Sequence, residues 1–362
     1  MLYYLGGILT EYFGPARLLQ SYTVLIALAL YSGFLIVRYF LPSFYNVLPH
    51  DRGREFTINA EAAKGKPTGA GVVWVSAFVI LSMIFVPLDW IKCSVLILTW
   101  LMMLTGYLDD HSINSWGEYR KALLDLFIAV FASVLLAFYL VNSSAEHRIV
   151  FWIPFFTHEI KIAPAIFVAI STIMIWASIN TTNCTDGVDG LSSTLVLVAL
   201  ITMGVVFYFI LGHKDISEYL LVPHIKDGAD WAVMTFALAG VLMGYLWHNA
   251  FPSNVLMGDA GSRALGFYIG VCVMVTRNPF MILATSTLIF INGGLGLVKV
   301  FLKRFFHISI FTNVRFPLHD HMRKNHGWSP TQVLIKFLIL QILFTVAVLG
   351  IIFKVRLVQY LH

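Results

Sequence analysis

The chain has 362 residues, of which 59% are hydrophobic and only 12% are charged. A typical soluble domain is about 45–50% apolar and about 25% charged, so this composition excludes almost any soluble domain, disorder, a coiled coil and a collagen-like rod. A polytopic membrane protein is the class that remains. The net charge of +5 is therefore interpreted as membrane topology and lipid attraction, not as nucleic-acid binding. The three cysteines, Cys93, Cys184 and Cys272, lie far apart without metal-site spacing and are predicted to be free thiols.

Ten stretches are long and apolar enough to cross a membrane as helices, which takes about 20 residues, or about 17 at the short end. In chain order they cover residues 20–41, 69–88, 92–108, 121–141, 162–180, 190–211, 230–247, 262–276, 279–301 and 331–353. The eighth is the weakest, because it is short and opens with Arg263. The predicted fold class is an all-α polytopic membrane protein, with residues 1–362 forming a single integral membrane domain. An even number of spans places both termini on the same side.

Positive charge is unevenly distributed between the two sets of loops. The loops after the odd-numbered spans, with the charges at their flanking helix ends, hold 15 of the 24 lysine and arginine residues, namely Arg38, Arg52, Arg54, Lys64, Lys66, Arg120, Lys121, Arg263, Lys299, Lys303, Arg304, Arg315, Arg323, Lys324 and Lys336. Because cytoplasmic loops carry such an excess, we expect these loops in the cytoplasm and both termini outside. The few charges within the spans, such as Asp125, lie near the cytoplasmic ends, so the chemistry is expected at that interface.

Four of the predicted cytoplasmic loops carry acidic or histidine side chains among glycine and asparagine. They are residues 106–110 with Asp109 and Asp110, residues 180–191 with Asn180, Asn183, Asp186 and Asp189, residues 249–262 with Asn249, Asn254, Asp259 and Ser262, and residues 317–321 with His319, Asp320 and His321. Each loop alone is equally typical of a solvated turn. Four such loops on one membrane face favour a shared site, whereas the acids of the outward loops, such as Asp215 and Asp230, are scattered.

The residue types in these loops favour one kind of chemistry. Carboxylates with open geometry suit Mg²⁺, which is held by one or two carboxylates together with substrate phosphate oxygens. Adjacent glycines let the backbone approach a phosphate, basic side chains offset its charge, and asparagines can bind a base or a sugar. The basic side chains are Lys64, Lys66, Arg120 and Lys121. The pattern predicts phosphoryl transfer. Zinc is less favoured without a His-Glu-x-x-His run or a cysteine beside the histidines, and a two-carboxylate glycosidase site leaves the basic residues without a role.

At these motifs the sequence resembles the polyprenyl-phosphate N-acetylhexosamine-1-phosphate transferases, over about residues 50–335. Gly-Tyr-Leu-Asp-Asp at 106–110 is similar to the family's double-Asp motif. Asn180 to Gly190 is similar to its Asn-x-x-Asn-x-Thr-Asp-Gly-x-Asp-Gly run, and Asn249 to Gly266 to its Asn-x-x-Pro-x-x-x-x-Met-Gly-Asp-x-Gly-Ser run. Gly65 to Gly71 and Gly327-Trp328, with the following Thr331-Gln332-Val333, resemble the phospho-N-acetylmuramoyl-pentapeptide transferase branch.

The resemblance implies a Mg²⁺-dependent transfer reaction at the bacterial cytoplasmic membrane, with the active site facing the cytoplasm. Undecaprenyl phosphate attacks the β-phosphorus of UDP-N-acetylmuramoyl-pentapeptide, UMP leaves, and lipid I forms for peptidoglycan synthesis. The expected partners are these two substrates and membrane lipids, with no nucleic acid, and a homodimer is left open. Ten spans with both termini outside is also the architecture that the resemblance implies.

The resemblance also implies roles for the motif residues. Asp259 is the expected Mg²⁺ ligand, since Gly258 and Gly261 are expected to leave room for a diphosphate. Asp109 is the expected base that deprotonates or orients the lipid phosphate, and Asp110 positions Asp109 or the metal. The catalytic set is completed by His319 and His321, which hold phosphate or the carboxylate network. The expected substrate-binding residues are Lys64, Thr68, Lys121, Asn180, Asn183, Asp186, Asp189, Asn249 and Ser262.

Some positions depart from the family pattern and leave the sugar substrate open. Asp320 is the middle residue of a histidine triplet, Leu256 stands where an aromatic ring often stacks on uracil, and residues 291–296 lack an acidic residue. The lysine expected before Pro67-Thr68 is aligned as Lys64 with a one-residue shift. The alternative is a sister enzyme that transfers N-acetylglucosamine-1-phosphate from UDP-N-acetylglucosamine to a polyprenyl phosphate. A membrane transporter is the alternative from another class, and it would need mid-membrane charges or paired broken helices.

Overall fold

The structure is a computed structural model, and it is almost entirely helical. It describes residues 1–51, 53, 64–112, 116–144, 147–156 and 159–360, with the backbone alone for 354–360. Arg52 and Arg54, two of the charges used to orient the chain, lie outside the described residues. The described helices are α1 (Leu2–Leu9), α2 (Tyr22–Phe40), α3 (Gly71–Phe85), α4 (Trp90–His111), α5 (Glu118–Ser143), α6 (Pro164–Thr185), α7 (Leu191–Val205), α8 (Lys214–Tyr219), α9 (Gly228–Asn249), α10 (Gly258–Val275), α11 (Met281–Ile289), α12 (Leu295–Phe306), α13 (Leu318–His326) and α14 (Pro330–Tyr360).

Short irregular helices extend or join several of these elements. The 3₁₀ helices Gly14–Gln20 and Leu41–Phe44 flank α2. The π-helix Val206–Leu211 continues α7, and the π-helix Phe290–Gly294 joins α11 to α12. The ninth predicted span is therefore helical but kinked at Ser286, where φ is −137°, and widened at its π-helical turn. Such π-helical turns are frequent at functional sites.

A helix overlies each of the ten predicted spans within the described part of the chain. Among the residues that the structure describes, eight helical stretches are long and apolar enough to cross a membrane, which makes the chain an integral polytopic membrane protein: Tyr22–Phe44, Trp90–His111, Glu118–Ser143, Pro164–Thr185, Leu191–Leu211, Gly228–Asn249, Met281–Phe306 and Pro330–Phe353. Helix α3 is apolar but has only 15 residues. Helix α10 falls short in apolarity because its first turns carry glycines, Asp259 and Arg263.

Two predicted features differ from the structure. The all-α prediction misses a small antiparallel hairpin in the loop between α5 and α6, where β1 (Ile149–Phe151) pairs with β2 (Ile160–Ile162). Each strand has two β-branched residues among its three, and such residues favour strands. The predicted loop 317–321 instead begins α13. Pro317 precedes its first turn, and Gly327 ends it in the left-handed region at φ +65°.

Helix α10 forms the centre of the bundle, since all 18 of its residues are buried. Small residues let its neighbours approach closely, as is usual for helix packing in membranes. A Cβ atom on Gly270 would lie 2.8 Å from the Cα atom of Ile175 on α6, and one on Gly266 would lie 2.6 Å from the Cα atom of Ile179. A helix surrounded by protein does not need a lipid-compatible surface, which explains how α10 accommodates its charged residues.

An ionic network around buried Lys92 lies at the opposite end of α4 from Asp109, about 26 Å away by helix length. The Nζ atom of Lys92, which is 1% exposed, lies 2.7 Å from Asp89 Oδ2, 2.8 Å from Asp227 Oδ2 and 3.5 Å from Asp230 Oδ2. The hydroxyl of Tyr139 donates to Asp227 at 2.7 Å. The expectation that the outward acids are scattered is therefore wrong for Asp230, because folding gathers it with two other acids around one lysine.

Candidate active site

Lys121 bridges two of the predicted carboxylates at the head of α5. Its Nζ atom lies 3.0 Å from Asp259 Oδ2 and makes a closer ion pair with Asp109 Oδ2. The side chains of Asp109 and Asp259 are only 5% and 6% exposed, whereas that of Lys121 is 28% exposed. Two buried carboxylates this close would repel each other strongly without a cation between them. The ammonium group of Lys121 therefore holds the two acidic motifs together.

Local backbone geometry fixes Asp109. It lies near the end of α4, and its Oδ1 atom accepts a hydrogen bond of 2.6 Å from the backbone N–H of Trp116. Trp116 lies just before α5, and its ring stacks under the guanidinium group of Arg120 at 3.8 Å. The end of α4 and the start of α5 are thus tied to the same carboxylate that Lys121 contacts.

Asp110 positions Asp259 through the backbone. Its two carboxylate oxygens accept hydrogen bonds from the N–H groups of Asp259 and Ala260, both at 3.1 Å. These groups belong to the first turn of α10, where backbone N–H groups have no partner within the helix and the helix dipole favours a negative charge. Asp110 therefore caps α10 from a neighbouring helix.

Asn183 and Ser262 complete the surroundings of Asp259. The side-chain amide of Asn183 donates to Asp259 Oδ1 and to Ser262 Oγ, both at 3.0 Å. The Ser262 hydroxyl donates in turn to the carbonyl of Gly258 at 3.0 Å. One carboxylate oxygen of Asp259 thus contacts Lys121 and the other contacts Asn183. The structure brings Asp109, Asp110, Lys121, Asn183, Asp259 and Ser262 together from three of the four predicted segments and the head of α5.

The glycines near Asp259 leave room for protein groups. A Cβ atom on Gly258 would overlap the carboxylate of Asp110 and lie 2.7 Å from the backbone nitrogen of Gly69. A Cβ atom on Gly261 would lie 2.7 Å from the Trp74 ring. The expectation that Gly258 and Gly261 leave space for a diphosphate is therefore wrong. Gly258 is also required by its φ of +69°, which disfavours any residue with a Cβ atom.

Asp189 belongs to a second polar group beside this centre. Its Oδ2 atom accepts a 3.0 Å hydrogen bond from the backbone N–H of Ser253 and lies 3.9 Å from Lys66 Nζ. Lys66 also donates to Ser253 Oγ at 3.1 Å. Lys64 is instead exposed and lines a groove of about 580 Å³ with His50, Asp51 and His111, among others. Lys66 is thus a candidate substrate-binding residue that the motif alignment missed, although it lies directly before Pro67-Thr68.

Three other predicted substrate-binding residues form hydrogen bonds with backbone groups. Buried Asn249 accepts a hydrogen bond from the N–H of Gly190 at 3.0 Å and donates to the carbonyl of Val255 at 2.9 Å, which ties two motif loops together. The backbone N–H of Thr68 donates to Pro49 at 2.7 Å. Asn180 donates at 2.9 Å to the carbonyl of Trp176 in its own helix. Asp186 is half-buried at the end of α6. Contact of these residues with substrate stays a prediction.

His319 is buried against the Asp-Gly loop. The carboxamide oxygen of Asn292 accepts a 2.8 Å hydrogen bond from the His319 backbone N–H, and the ring Nδ1 atom lies 3.0 Å from the Asn292 amide nitrogen. A Cβ atom on Gly187 would lie 3.0 Å from Cε1 of the imidazole. Burial, and to a smaller extent Arg323, lowers the pKa of His319 to about 3. Asn292 lies in the segment 291–296, where the sequence shows only a missing acid, and its role in holding His319 was not predicted.

The other two residues of the histidine motif, Asp320 and His321, lie in α13 and contact residues of α13 and of the segment that precedes it. The backbone N–H of Arg315 donates to His321 Nδ1 at 3.3 Å, and the His321 ring packs edge-on against His326. Burial raises the pKa of Asp320, against the effect of Arg315, whose Nε atom lies 3.7 Å from its carboxylate. Within the described part of the chain, no hydrogen bond or ion pair joins His321 to Asp109 or Asp259.

The donor set can be tested for its fit to Mg²⁺. Among the described residues there is no group of three or more histidine, cysteine, aspartate or glutamate side chains arranged to hold a metal ion. Asp109 and Asp259 are, however, two buried carboxylates that share one cationic group. This number of carboxylates suits Mg²⁺, which takes its remaining ligands from water and substrate phosphates. The cysteines described form no disulfide bond with one another, as predicted.

Comparisons with known proteins identify the family. Residues 92–277 match the family model described as glycosyl transferase family 4. A phospho-N-acetylmuramoyl-pentapeptide-transferase of Treponema pallidum (strain Nichols) is 55% identical over 345 residues, which cover 95% of this chain and 94% of the relative. The chain belongs to the phospho-N-acetylmuramoyl-pentapeptide-transferase family. The Campylobacter jejuni (strain RM1221) transferase is 30% identical over 76% of this chain and 78% of its own length, and the Campylobacter hominis one is 28% identical over 95% and 97%. The family predicted from the motifs is confirmed.

The low pKa of His319 predicts a pH dependence of stability. Between pH 6.5 and about 3 the unfolded chain binds a proton at this residue that the folded chain does not, so stability falls as pH decreases through that window. His319 contributes up to about 1.4 kcal/mol per pH unit to the slope of the free energy of unfolding against pH. We expect the Tm of the detergent-solubilised protein to fall between pH 7 and pH 5, and to fall less steeply in His319→Asn. His326→Asn, at an exposed position, is the control and should keep the parent slope; an unchanged slope in His319→Asn would contradict the buried neutral imidazole.

Proposed function

We propose that the chain transfers phospho-N-acetylmuramoyl-pentapeptide from its UDP carrier to undecaprenyl phosphate, releasing UMP and forming lipid I. The observation that carries this proposal is the 55% identity to a transferase of that name over 95% of the chain. The convergence of the acidic motifs on Lys121 supports the same reaction, since phosphoryl transfer depends mainly on positioning and charge neutralisation.

Asp259 is the proposed Mg²⁺ ligand, with Asp109 as the carboxylate that faces it across Lys121. When bound, Mg²⁺ would neutralise the diphosphate oxygens and polarise the β-phosphorus. Asn183 keeps one oxygen of Asp259 oriented, and Asp110 keeps the first turn of α10 in place. Lys121 has the greatest exposure of the three charged groups and is proposed to contact the diphosphate when substrate arrives. Lys66 and Asp189 are proposed to hold other parts of the nucleotide sugar.

The proposed reaction is a direct displacement. A phosphate oxygen of the lipid forms a bond to the β-phosphorus, the bond from that phosphorus to the bridging oxygen breaks, and UMP carries the electron pair away. Asp109 would orient the lipid phosphate or take its remaining proton, since the second pKa of a phosphate monoester is about 6. We favour direct attack over a covalent aspartyl-phosphate, because the lipid phosphate is already an anionic nucleophile. One phosphoanhydride replaces another, so the reaction should be reversible.

We also propose that the site faces the cytoplasm of the bacterial cell membrane. Asp109, Lys121 and Asp259 lie at helix ends flanked by the loops richest in lysine and arginine. If α3 and α10 cross the membrane with the eight apolar helical stretches, the chain has ten spans and both termini lie outside. The proposed partners are the two substrates and membrane lipids.

The choice of sugar can be tested with purified protein and undecaprenyl phosphate. With UDP-N-acetylmuramoyl-pentapeptide and UDP-N-acetylglucosamine offered separately, we expect UMP release with the first to be at least about tenfold faster, a difference of about 1.4 kcal/mol in transition-state binding. Faster release with the second would favour the sister enzyme instead. This alternative is tested because Leu256 and Asp320 depart from the family pattern. Uptake into liposomes without any lipid product would favour a transporter.

The role of Asp259 can be tested by substitution. Asp259→Asn should abolish UMP release while the protein remains folded in detergent, because the amide keeps the shape but removes the charge of the proposed metal ligand. EDTA should stop the parent enzyme and Mg²⁺ should restore it. Asp215→Asn, at an exposed acid of α8, is the matched control and should keep full activity. More than about a tenth of the parent turnover in Asp259→Asn would contradict the metal-ligand role.

A further inference from the structure

A second buried ion pair joins the two helices that carry Lys121 and Asp259. Arg263 of α10 donates from Nε to Asp125 Oδ1 on α5 at 3.1 Å, and its Nη2 atom makes a shorter contact with the same oxygen. The two side chains are only 2% and 3% exposed. A charge pair so deeply buried among membrane helices is costly unless it is matched, and such residues in membrane proteins commonly serve function.

The two ion pairs occupy successive turns of the same two helices. Lys121 and Asp125 are four residues apart on α5, and Asp259 and Arg263 are four residues apart on α10, so each helix presents both of its charges on one face. The charges alternate, since α5 carries a cation and then an anion, and α10 carries an anion and then a cation. Each charge therefore faces an opposite charge across the helix interface and has another one turn away on its own helix.

Helices α5 and α10 both pack on α4 and α6, but their direct contact with each other is limited. The two ion pairs are therefore prominent among the contacts that directly join α5 to α10, and the Asp125–Arg263 pair is the more deeply buried of the two. Its guanidinium geometry gives it directional as well as electrostatic strength.

We propose that Asp125 and Arg263 are positioning residues for the transfer reaction, which fix α5 against α10 so that Lys121 reaches both Asp109 and Asp259. This inference rests on the proposed roles of Lys121 and Asp259. Neither Asp125 nor Arg263 contacts substrate in this account. They act on the reaction by setting the place of the ammonium group that neutralises the carboxylates and then the diphosphate.

A purely structural role makes a different prediction. Replacing a buried ion pair with apolar residues of similar volume is often neutral or stabilising, whereas removal of one partner leaves an uncompensated buried charge. A pair that only stabilises the fold can therefore be replaced by two leucines without loss of turnover. A pair that fixes the place of Lys121 cannot, because small displacements of catalytic groups cost large factors in rate.

The test compares the double variant Asp125→Leu/Arg263→Leu with the parent by thermal unfolding and by steady-state UMP release. We expect the double variant to keep the parent Tm to within a few degrees and to lose at least about tenfold in kcat. Arg263→Lys, which retains a charge pair, should recover part of that loss. A folded double variant with kcat within about threefold of the parent would overturn the proposal and leave the pair a structural one.

Two further variants keep the outcome interpretable. Lys92→Met disrupts the ionic network at the other end of the bundle and should lower Tm while leaving kcat per folded molecule unchanged, which separates positioning from general destabilisation. If the leucine pair does not fold, Asp125→Asn/Arg263→Gln removes the charges with polar groups of similar size, and an unchanged kcat there would equally overturn the proposal. Full turnover in Asp259→Asn would instead contradict the proposed site itself, so the two failures are distinguishable.

Discussion

Two carboxylates almost removed from solvent cannot stay close to each other without a cation between them, and this constraint governs the site. Two like charges about 4 Å apart repel by about 4 kcal/mol in surroundings with an effective dielectric constant near 20. Lys121 removes that repulsion by contacting Asp109 and Asp259 together. Because it comes from the head of α5, while the acids come from α4 and α10, one ammonium group ties three helices at a single point.

The neighbouring residues each serve this arrangement in a different way. Asp110 accepts hydrogen bonds from the first turn of α10, and this cap fixes the backbone position of Asp259. Asn183 orients one oxygen of Asp259 from the end of α6. The closely packed glycines, such as Gly258, allow these backbones to meet with no side chain between them. These contacts hold the proposed catalytic groups in fixed positions relative to one another, which is what catalysis by electrostatic preorganisation requires.

The helices and the convergence of the motifs could be predicted from the sequence, because apolar runs and acid-bearing loops on one face are local patterns. The contacts that depend on three-dimensional packing could not. Nothing in the spacing of Asp109 and Asp110 shows that the first contacts Lys121 whereas the second caps a helix about 150 residues later in the chain. The space expected at Gly258 is filled by Asp110, and only the fold reveals this.

Other misses have similar causes. Lys64 and Lys66 are the same residue type two positions apart, so the sequence does not distinguish them. Only the folded loop places Lys66 beside Asp189. In the sequence, the segment that contains Asn292 differs from the family only by lacking an acidic residue. In the structure, the Asn292 side chain accepts a hydrogen bond from the His319 backbone N–H. The acids gathered around Lys92 come from the starts of two helices that are far apart in sequence. Except for Asp89, which lies three residues before Lys92, each partner is distant along the chain, so periodicity and motif spacing contain no signal for it.

Lys121 keeps Asp109 and Asp259 together by compensating their charge. The most direct measurement is the Tm in detergent of Lys121→Met, Asp259→Asn and the double variant, each with and without Mg²⁺. We expect Lys121→Met to have a lower Tm than the parent, and the added Asp259→Asn substitution to restore much of the lost stability. We also expect Mg²⁺ to raise the Tm of Lys121→Met more than that of the parent. Additive losses in the double variant, together with no greater effect of Mg²⁺ on Lys121→Met, would contradict it.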